Sequence, residues 1–203
     1  MPDSGRVNDF YVKIGTPEGA QIGTVLNVYR DQDLVSDVGN FSVKDRQYIG
    51  RMRVISTNPD YSIARVLDLA DYSDPHRVLQ AVVIGDYVQP VFVVASENLF
   101  DQGSSTLRSE AQVEIARAGR FIQRFNPIKV RVEGHTDNTG DEDANMTLSQ
   151  SRAVAVIQIL INNYNIDEEI LIPVGYGEAK PIASNDTPEG QRKNRRFEIV
   201  IEK

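Results

Sequence analysis

The stretch that most restricts the fold of this chain is residues 128–160, where a strand pattern passes through a polar loop into a helix pattern. Apolar residues alternate with charged ones over 128–133, which predicts a strand with one buried face. Apolar residues spaced three and four apart over 148–160 predict an amphipathic helix. The loop between them leads into the amino end of that helix, where free backbone amides favour anions. The sequence therefore predicts a strand–loop–helix unit that can hold a ligand.

The same alternation of strand and helix patterns extends over residues 90–203. Strands are predicted at 90–95, 128–133, 170–174 and 197–202, and helices at 107–125 and from 148 to Asn162-Asn163. A long loop over 175–189 separates the last two strands. The order is therefore β-α-β-α-β-loop-β. We expect right-handed crossovers and an α+β fold in which a mixed sheet carries both helices on one face.

Residues 1–89 have a different character, because short runs rich in β-branched residues alternate with Gly, Pro, Asn and Asp. Such runs predict antiparallel strands joined by turns. We expect a small all-β, barrel-like module that follows a loosely ordered lead-in over residues 1–20. The sequence thus predicts two domains, the β-rich module at 1–89 and the α+β domain at 90–203.

Composition excludes several classes of function. The net charge of −7 disfavours a duplex nucleic-acid binder, which needs a dense basic surface. The sequence has no Cys, and this rules out disulfides, thiolate nucleophiles and cysteine zinc sites. No apolar run approaches the ~18 residues of a membrane span, and residues 1–6 show no signal-peptide pattern. We expect no nucleic-acid partner and no membrane span in this chain.

Two charged side chains stand out around the polar loop. Asp137 lies in the loop and offers a carboxylate, while Arg152 lies in the following helix and offers a planar donor fork suited to a carboxylate. Together they suit a ligand with an ammonium and a carboxylate on one carbon. On spacing alone, a plain salt bridge between Asp137 and Arg152 is the favoured interpretation, and the two interpretations can coexist.

Other chemistries receive less support from the sequence. Oxygen-bearing side chains alternate over 137–143 as in a calcium loop, but Glu142 replaces the turn Gly and Leu148 replaces the closing Glu. His135 lies two residues before Asp137, but no serine nucleophile motif accompanies it. We therefore expect no metal, no cofactor and no catalytic residue.

A basic cluster occupies residues 192–196 near the end of the chain. We expect a surface network of salt bridges there, with contact to an anionic polymer as the alternative. A further hypothesis is that Arg196 supports the ligand loop through Glu178 or Asp137.

Four motifs in a fixed order mark a resemblance to a known family. They are Gly-His-Thr-Asp-Asn-Thr-Gly at 134–140, Asn145 with Leu148-Ser149 and Arg152-Ala153, Gly175-Tyr176-Gly177-Glu178 with Lys180-Pro181, and Asn194-Arg195-Arg196-Phe197-Glu198-Ile199. With these motifs, residues 90–203 closely resemble the OmpA-like C-terminal domain, which binds peptidoglycan. Residues 1–89 are not assigned to a family.

The resemblance implies binding without covalent chemistry, through the diaminopimelate residue of the peptidoglycan stem peptide. By position, Asp137 matches the family's ammonium-binding aspartate and Arg152 its carboxylate-binding arginine. A further position, at which the family often carries Asn, is Gly103 here. The ligand-binding residues implied are Asp137, Arg152, Thr136, Asn145, Leu148 and Gly103.

The resulting hypothesis is a non-enzymatic tether that holds a cell-envelope protein or complex to the cell wall. We expect it in the periplasm of a Gram-negative bacterium, associated with the outer membrane through a segment that this sequence does not contain. Its expected partners are peptidoglycan and, through residues 1–89, an envelope protein. One alternative is a structural adaptor with an inactive ligand site, and another is a cell-wall hydrolase.

Overall fold

The computed structural model describes residues 9–35, 42–69 and 81–202. These residues belong to two compact units that meet in the chain between Pro90 and Val91. The described residues up to Pro90 form the first unit and those from Val91 form the second. Within the described ranges, no helix combines the length and the apolar character needed to cross a membrane.

The first unit is built from antiparallel strands. They are β1 (Asp9–Val12), β2 (Val25–Val35), β3 (Ser42–Thr57) and β4 (Ser62–Leu69). In the sheet they follow the order β1-β4-β3-β2, with every neighbouring pair antiparallel. Side chains from three of these strands meet in the core, where Leu26, Met52 and Ala64 are fully buried.

Two expectations for the first unit can be compared with the structure. Part of the lead-in expected over residues 1–20 is ordered, because Asp9–Val12 pair with β4 and the Ser62 hydroxyl donates a 2.6 Å hydrogen bond to the Ile14 carbonyl. Val12 and Ile14 are buried, so this short segment contributes to the core despite its polar neighbours. Closure into a barrel is not confirmed, since the described strands leave β1 at one edge of the sheet.

The second unit has the predicted mixed sheet and α+β character. Its strands are β5 (Tyr87–Ala95), β6 (Lys129–His135), β7 (Leu171–Gly177) and β8 (Arg196–Glu202), of which β5 begins in the first unit. Its helices are α1 (Ala111–Phe125), α2 (Glu142–Tyr164) and α3 (Pro188–Asn194). The strand order is β5-β8-β6-β7, with β6 parallel to β7 and β8 antiparallel to β5 and β6.

The helix α2 lies unusually close to the carboxyl ends of β6 and β7. A Cβ added at Gly134 would lie 2.5 Å from the Ser149 carbonyl oxygen, and one added at Gly175 would lie 2.4 Å from the Gln150 amide nitrogen. Both glycines are therefore required for this packing, which no larger side chain allows without a shift of the backbone. The close approach fixes the first half of α2 against the ends of these strands.

Three boundaries in the second unit differ from the sequence prediction. Helix α1 begins at Ala111 rather than 107, because Leu107 pairs with Phe100 in an isolated β-bridge. Helix α2 begins at Glu142 rather than 148, because the Asp141 carboxylate accepts a hydrogen bond from the Ala144 amide and caps the helix. The loop predicted over 175–189 instead leads into α3, whose first residue is Pro188.

Candidate functional site

The candidate site lies at the carboxyl end of β6, where the loop 136–141 leads into α2. The Thr136 amide donates to the Gly177 carbonyl at 2.9 Å, which ties the loop to β7. The Asn145 side chain, buried on α2, donates to the carbonyls of Asp137 (3.4 Å) and Thr139 (3.2 Å) and to Glu178 Oε2 (2.9 Å). Asn145 thus holds the loop against α2.

Asp137 is buried, and each of its carboxylate oxygens has a partner. Oδ1 accepts the Thr139 amide at 2.9 Å, and Oδ2 accepts Nη1 of Arg195, which follows α3. Burial opposes ionisation of the carboxyl, but the Arg195 guanidinium and the Thr139 amide outweigh it and hold the pKa of Asp137 below its usual value. The site therefore contains an ionised acid at neutral pH.

Arg152 is also buried, but its partners are neutral oxygens. Nε donates to the Ser104 carbonyl at 2.7 Å, Nη1 to Ser96 Oγ at 3.1 Å and Nη2 to the Asp101 carbonyl at 3.0 Å. Its Cζ lies 5.0 Å from the centre of the Phe100 ring. Burial lowers the pKa of this guanidinium, and in the part of the chain that the structure describes no carboxylate forms an ion pair with it.

The plain salt bridge between Asp137 and Arg152 is therefore wrong, because Asp137 pairs with Arg195 instead. The two charges are nonetheless linked through neighbouring residues. Ser96 Oγ binds Arg152, while Oε2 of the next residue, Glu97, lies 4.0 Å from Nη2 of Arg195. The acid and the base thus belong to one group of side chains around residues 96 and 97.

The other predicted residues lie in or beside this group. The Thr136 hydroxyl oxygen is buried and has no hydrogen-bond partner within the described ranges. Leu148 is half-buried on α2. Gly103 is exposed, with φ +70°, and belongs to the turn that presents the carbonyls of Asp101 and Ser104 to Arg152. A Cβ added at Gly103 would meet no atom within 4 Å, so the turn leaves open space there.

Sequence reasoning missed the role of Arg195. It placed Arg195 in a surface network and assigned support of the loop to Arg196, but Arg196 binds Glu198 at 2.6 Å and the Lys180 carbonyl at 3.3 Å. The preceding Asn194 has no exposed surface and binds backbone groups of Ile182 and Ala183, which fixes the end of α3. Consecutive residues that enter a strand point to opposite faces, so Arg195 and Arg196 were to be expected on different sides of the sheet. This was the signal that the sequence offered.

His135 and the acidic loop residues have structural roles. His135 is buried and stacks on Tyr176 with ring centres 5.3 Å apart, and burial together with Arg196 lowers the pKa of the imidazole. Asp141 caps α2. Across the described residues, no three His, Asp or Glu side chains gather in a way that could hold a metal ion.

Comparison with known proteins assigns most of the second unit to a family. Residues 99–195 match the model of the OmpA family. These residues form an OmpA family domain. The match confirms the resemblance inferred from the four sequence motifs, and it leaves the first unit outside the matched region.

Individual relatives of the OmpA family domain come from several bacteria. Outer membrane porin F of Pseudomonas aeruginosa is 37% identical over 103 residues, 51% of this chain and 29% of the porin. Peptidoglycan-binding protein ArfA of Mycobacterium bovis is 37% identical over 173 residues, 84% of this chain and 52% of ArfA. The chain therefore spans less than a third of the porin and about half of ArfA.

A solved structure shares the fold of the OmpA family domain. It is the cell wall anchor of the T6SS from Pseudomonas aeruginosa, with a TM-score of 0.51 and 29% sequence identity. The similarity covers 56% of this chain and 81% of that chain.

Proposed function

We propose that the OmpA family domain binds peptidoglycan without covalent chemistry, through the free amino-acid end of diaminopimelate in the stem peptide. That end carries an ammonium and a carboxylate on one carbon. The ammonium binds the Asp137 carboxylate, and the carboxylate binds the guanidinium of Arg152 through two hydrogen bonds. The relatives named as a peptidoglycan-binding protein and a cell wall anchor support the class of ligand.

The observation that carries the proposal is the state of Arg152. A buried guanidinium with only neutral partners is costly, because three hydrogen bonds replace hydration but leave the charge without a counter-ion. A ligand carboxylate supplies that counter-ion. Its three bonds also fix the guanidinium before the ligand arrives, and this reduces the entropy lost on binding.

The unpaired Thr136 hydroxyl supports the same proposal. A buried hydroxyl without a partner costs about 1–3 kcal/mol, so such groups call for a partner that the described residues do not supply. Thr136 precedes Asp137 directly and lies in the loop that holds it. A polar ligand group at this position offsets the cost.

The cellular role follows from binding at the wall. We place the protein in the cell envelope, where the domain tethers it or its complex to the cell wall and the first unit contacts an envelope partner. A porin named for the outer membrane and a mycobacterial peptidoglycan-binding protein are both relatives, which supports the envelope. A Gram-negative source and association with the outer membrane stay predictions.

Co-sedimentation with purified sacculi tests the proposal. Wild type is expected to pellet with sacculi that contain diaminopimelate, while a smaller fraction of Asp137→Asn and of Arg152→Lys pellets. Asp141→Asn is the matched control, because it removes a carboxylate from the same loop but Asn preserves the helix cap.

Other outcomes of the same assay have clear meanings. A soluble wild type at low salt would favour the structural adaptor. Release of soluble muropeptides would favour a hydrolase. Equal binding to sacculi with lysine in place of diaminopimelate would contradict the assignment of Arg152 to a ligand carboxylate, because lysine lacks that group.

A further inference from the structure

The acidic half of the site is already occupied in the free protein. Arg195 Nη1 binds Asp137 Oδ2, and 39% of the Arg195 side chain is exposed against 9% for Asp137. The guanidinium is thus the solvent-exposed member of the pair and covers one oxygen of a buried carboxylate. A ligand ammonium bound there must displace this contact or share the carboxylate with it.

A second acceptor for Arg195 lies beside the first. Glu97 Oε2 is 4.0 Å from Arg195 Nη2, and its side chain is 48% exposed. Glu97 is held in a short 3₁₀ helix, Ser96–Asn98, whose neighbouring residue Ser96 binds Arg152. Arg195 can therefore give up Asp137 and keep a carboxylate partner with a small movement of its side chain.

We propose that Arg195 limits the affinity of the site, because it occupies the ammonium position at Asp137 and transfers to Glu97 when a ligand ammonium binds. The inference rests on the proposed function of the same site. It adds a competition step and assigns Glu97 as the acceptor that completes it.

The competition costs every ligand that places an ammonium at Asp137 the same free energy, so a second contact must supply the net gain on binding. Arg195 is tethered beside Asp137, so its effective concentration there is of millimolar order or higher. An amine that displaces Arg195 exchanges one cation for another and gains little. A zwitterion also supplies a carboxylate to Arg152, which has no ion-pair partner in the described ranges, and so gains a contact that the free protein lacks.

The test uses two tripeptides that differ by a single carboxylate, L-Ala-D-Glu-meso-diaminopimelate and L-Ala-D-Glu-L-Lys. Titration calorimetry measures both Kd values for wild type, Arg195→Gln, Glu97→Gln and the double variant. Arg192→Gln is the matched control, since it removes the same charge from an exposed position on α3. Urea unfolding establishes that every variant is folded.

The expected results have opposite signs for the two residues. Arg195→Gln binds both peptides about two- to fivefold more tightly and leaves the preference for diaminopimelate unchanged, because the half-exposed Arg195 no longer competes for Asp137. Glu97→Gln weakens binding of the diaminopimelate peptide by a similar factor, and the double variant matches Arg195→Gln. Arg192→Gln matches wild type.

Two results would overturn the inference while leaving the proposed function intact. Weaker binding of both peptides by Arg195→Gln would make Arg195 a direct ligand contact. A Glu97→Gln effect that persists in the double variant would separate Glu97 from Arg195. If neither wild type nor Arg195→Gln binds the diaminopimelate peptide, the proposed function itself fails and the inference fails with it.

Discussion

Replacement of Arg152 by Lys is the sharpest single test of the site, because it keeps the charge and removes the fork. Each of three guanidinium nitrogens binds an oxygen of a different residue, at 2.7, 3.1 and 3.0 Å. A lysine ammonium has one nitrogen and cannot reach three acceptors so placed. It also cannot bind a carboxylate in the bidentate geometry open to arginine.

The number of hydrogen bonds lost gives the expected decreases in stability and in ligand affinity. Loss of two of the three bonds, at about 1 kcal/mol net each, lowers the unfolding free energy by about 2 kcal/mol. Two kcal/mol corresponds to a fall in Tm of roughly 4–8 °C for a chain of this size. In the proposed complex, replacing a bidentate contact by a single one costs about 2 kcal/mol, which is about a 30-fold rise in Kd.

Urea unfolding measures the stability of the Arg152→Lys variant, and titration calorimetry with the diaminopimelate tripeptide measures its Kd. Arg117→Lys is the control, because that arginine is 60% exposed and pairs with Glu114 on the same helix. It should leave both quantities unchanged. A Kd within twofold of wild type, together with the loss of stability, would refute the reasoning and make Arg152 only a tie between α2 and the segment 96–104.

Three further predictions follow from the same structure. Calorimetry should show that Asp137→Asn weakens tripeptide binding about tenfold. In wild type, binding should persist in mild acid and weaken only as the pH falls through the lowered pKa of Asp137. Asp141→Asn should show the same affinity and the same pH dependence as wild type. Because burial lowers the pKa of His135, the unfolded chain takes up that proton first, so the unfolding free energy should fall as the pH drops below about 6.5. His135→Phe should reduce that fall in urea titrations. Gly175→Ala should lower the unfolding free energy by about 1–3 kcal/mol in thermal melts, because its Cβ would lie 2.4 Å from the backbone of α2.

The parts of the fold that the sequence predicted are those with a long, regular period. The alternation that predicted β6 and the apolar face that predicted α1 persist over enough residues to define one structure. Helix α3 has seven residues and too few apolar side chains to show a period. Its signals were the Thr187 cap and Pro188, which define a helix start without a helical pattern. Strand β1 is shorter still and depends on pairing with β4.

For the site, the sequence predicted which side chains have suitable chemistry, but it did not predict their contacts. Asp137 and Arg152 were noted as an acid and a base on either side of the start of a helix, and the family resemblance gave them their ligand roles. The contact of Asp137 with Arg195 spans 58 positions of the chain and depends on how α3 enters β8. No local pattern encodes it. Two of the three acceptors of Arg152 are likewise backbone carbonyls of a turn, which residue types do not reveal.

The two charges of the site are unequal in the free protein, and this asymmetry divides their roles in the proposed complex. Asp137 already has a cationic partner, so a ligand ammonium exchanges one ion pair for another and the net gain is small. Arg152 has only neutral partners in the described ranges, so a ligand carboxylate creates an ion pair that did not exist before. Affinity therefore depends mainly on Arg152, which also distinguishes diaminopimelate from lysine, and the competition at Asp137 lowers the affinity for both ligands. This division is why we expect a larger loss of binding from Arg152→Lys than from Asp137→Asn, although both remove one half of the same zwitterion contact.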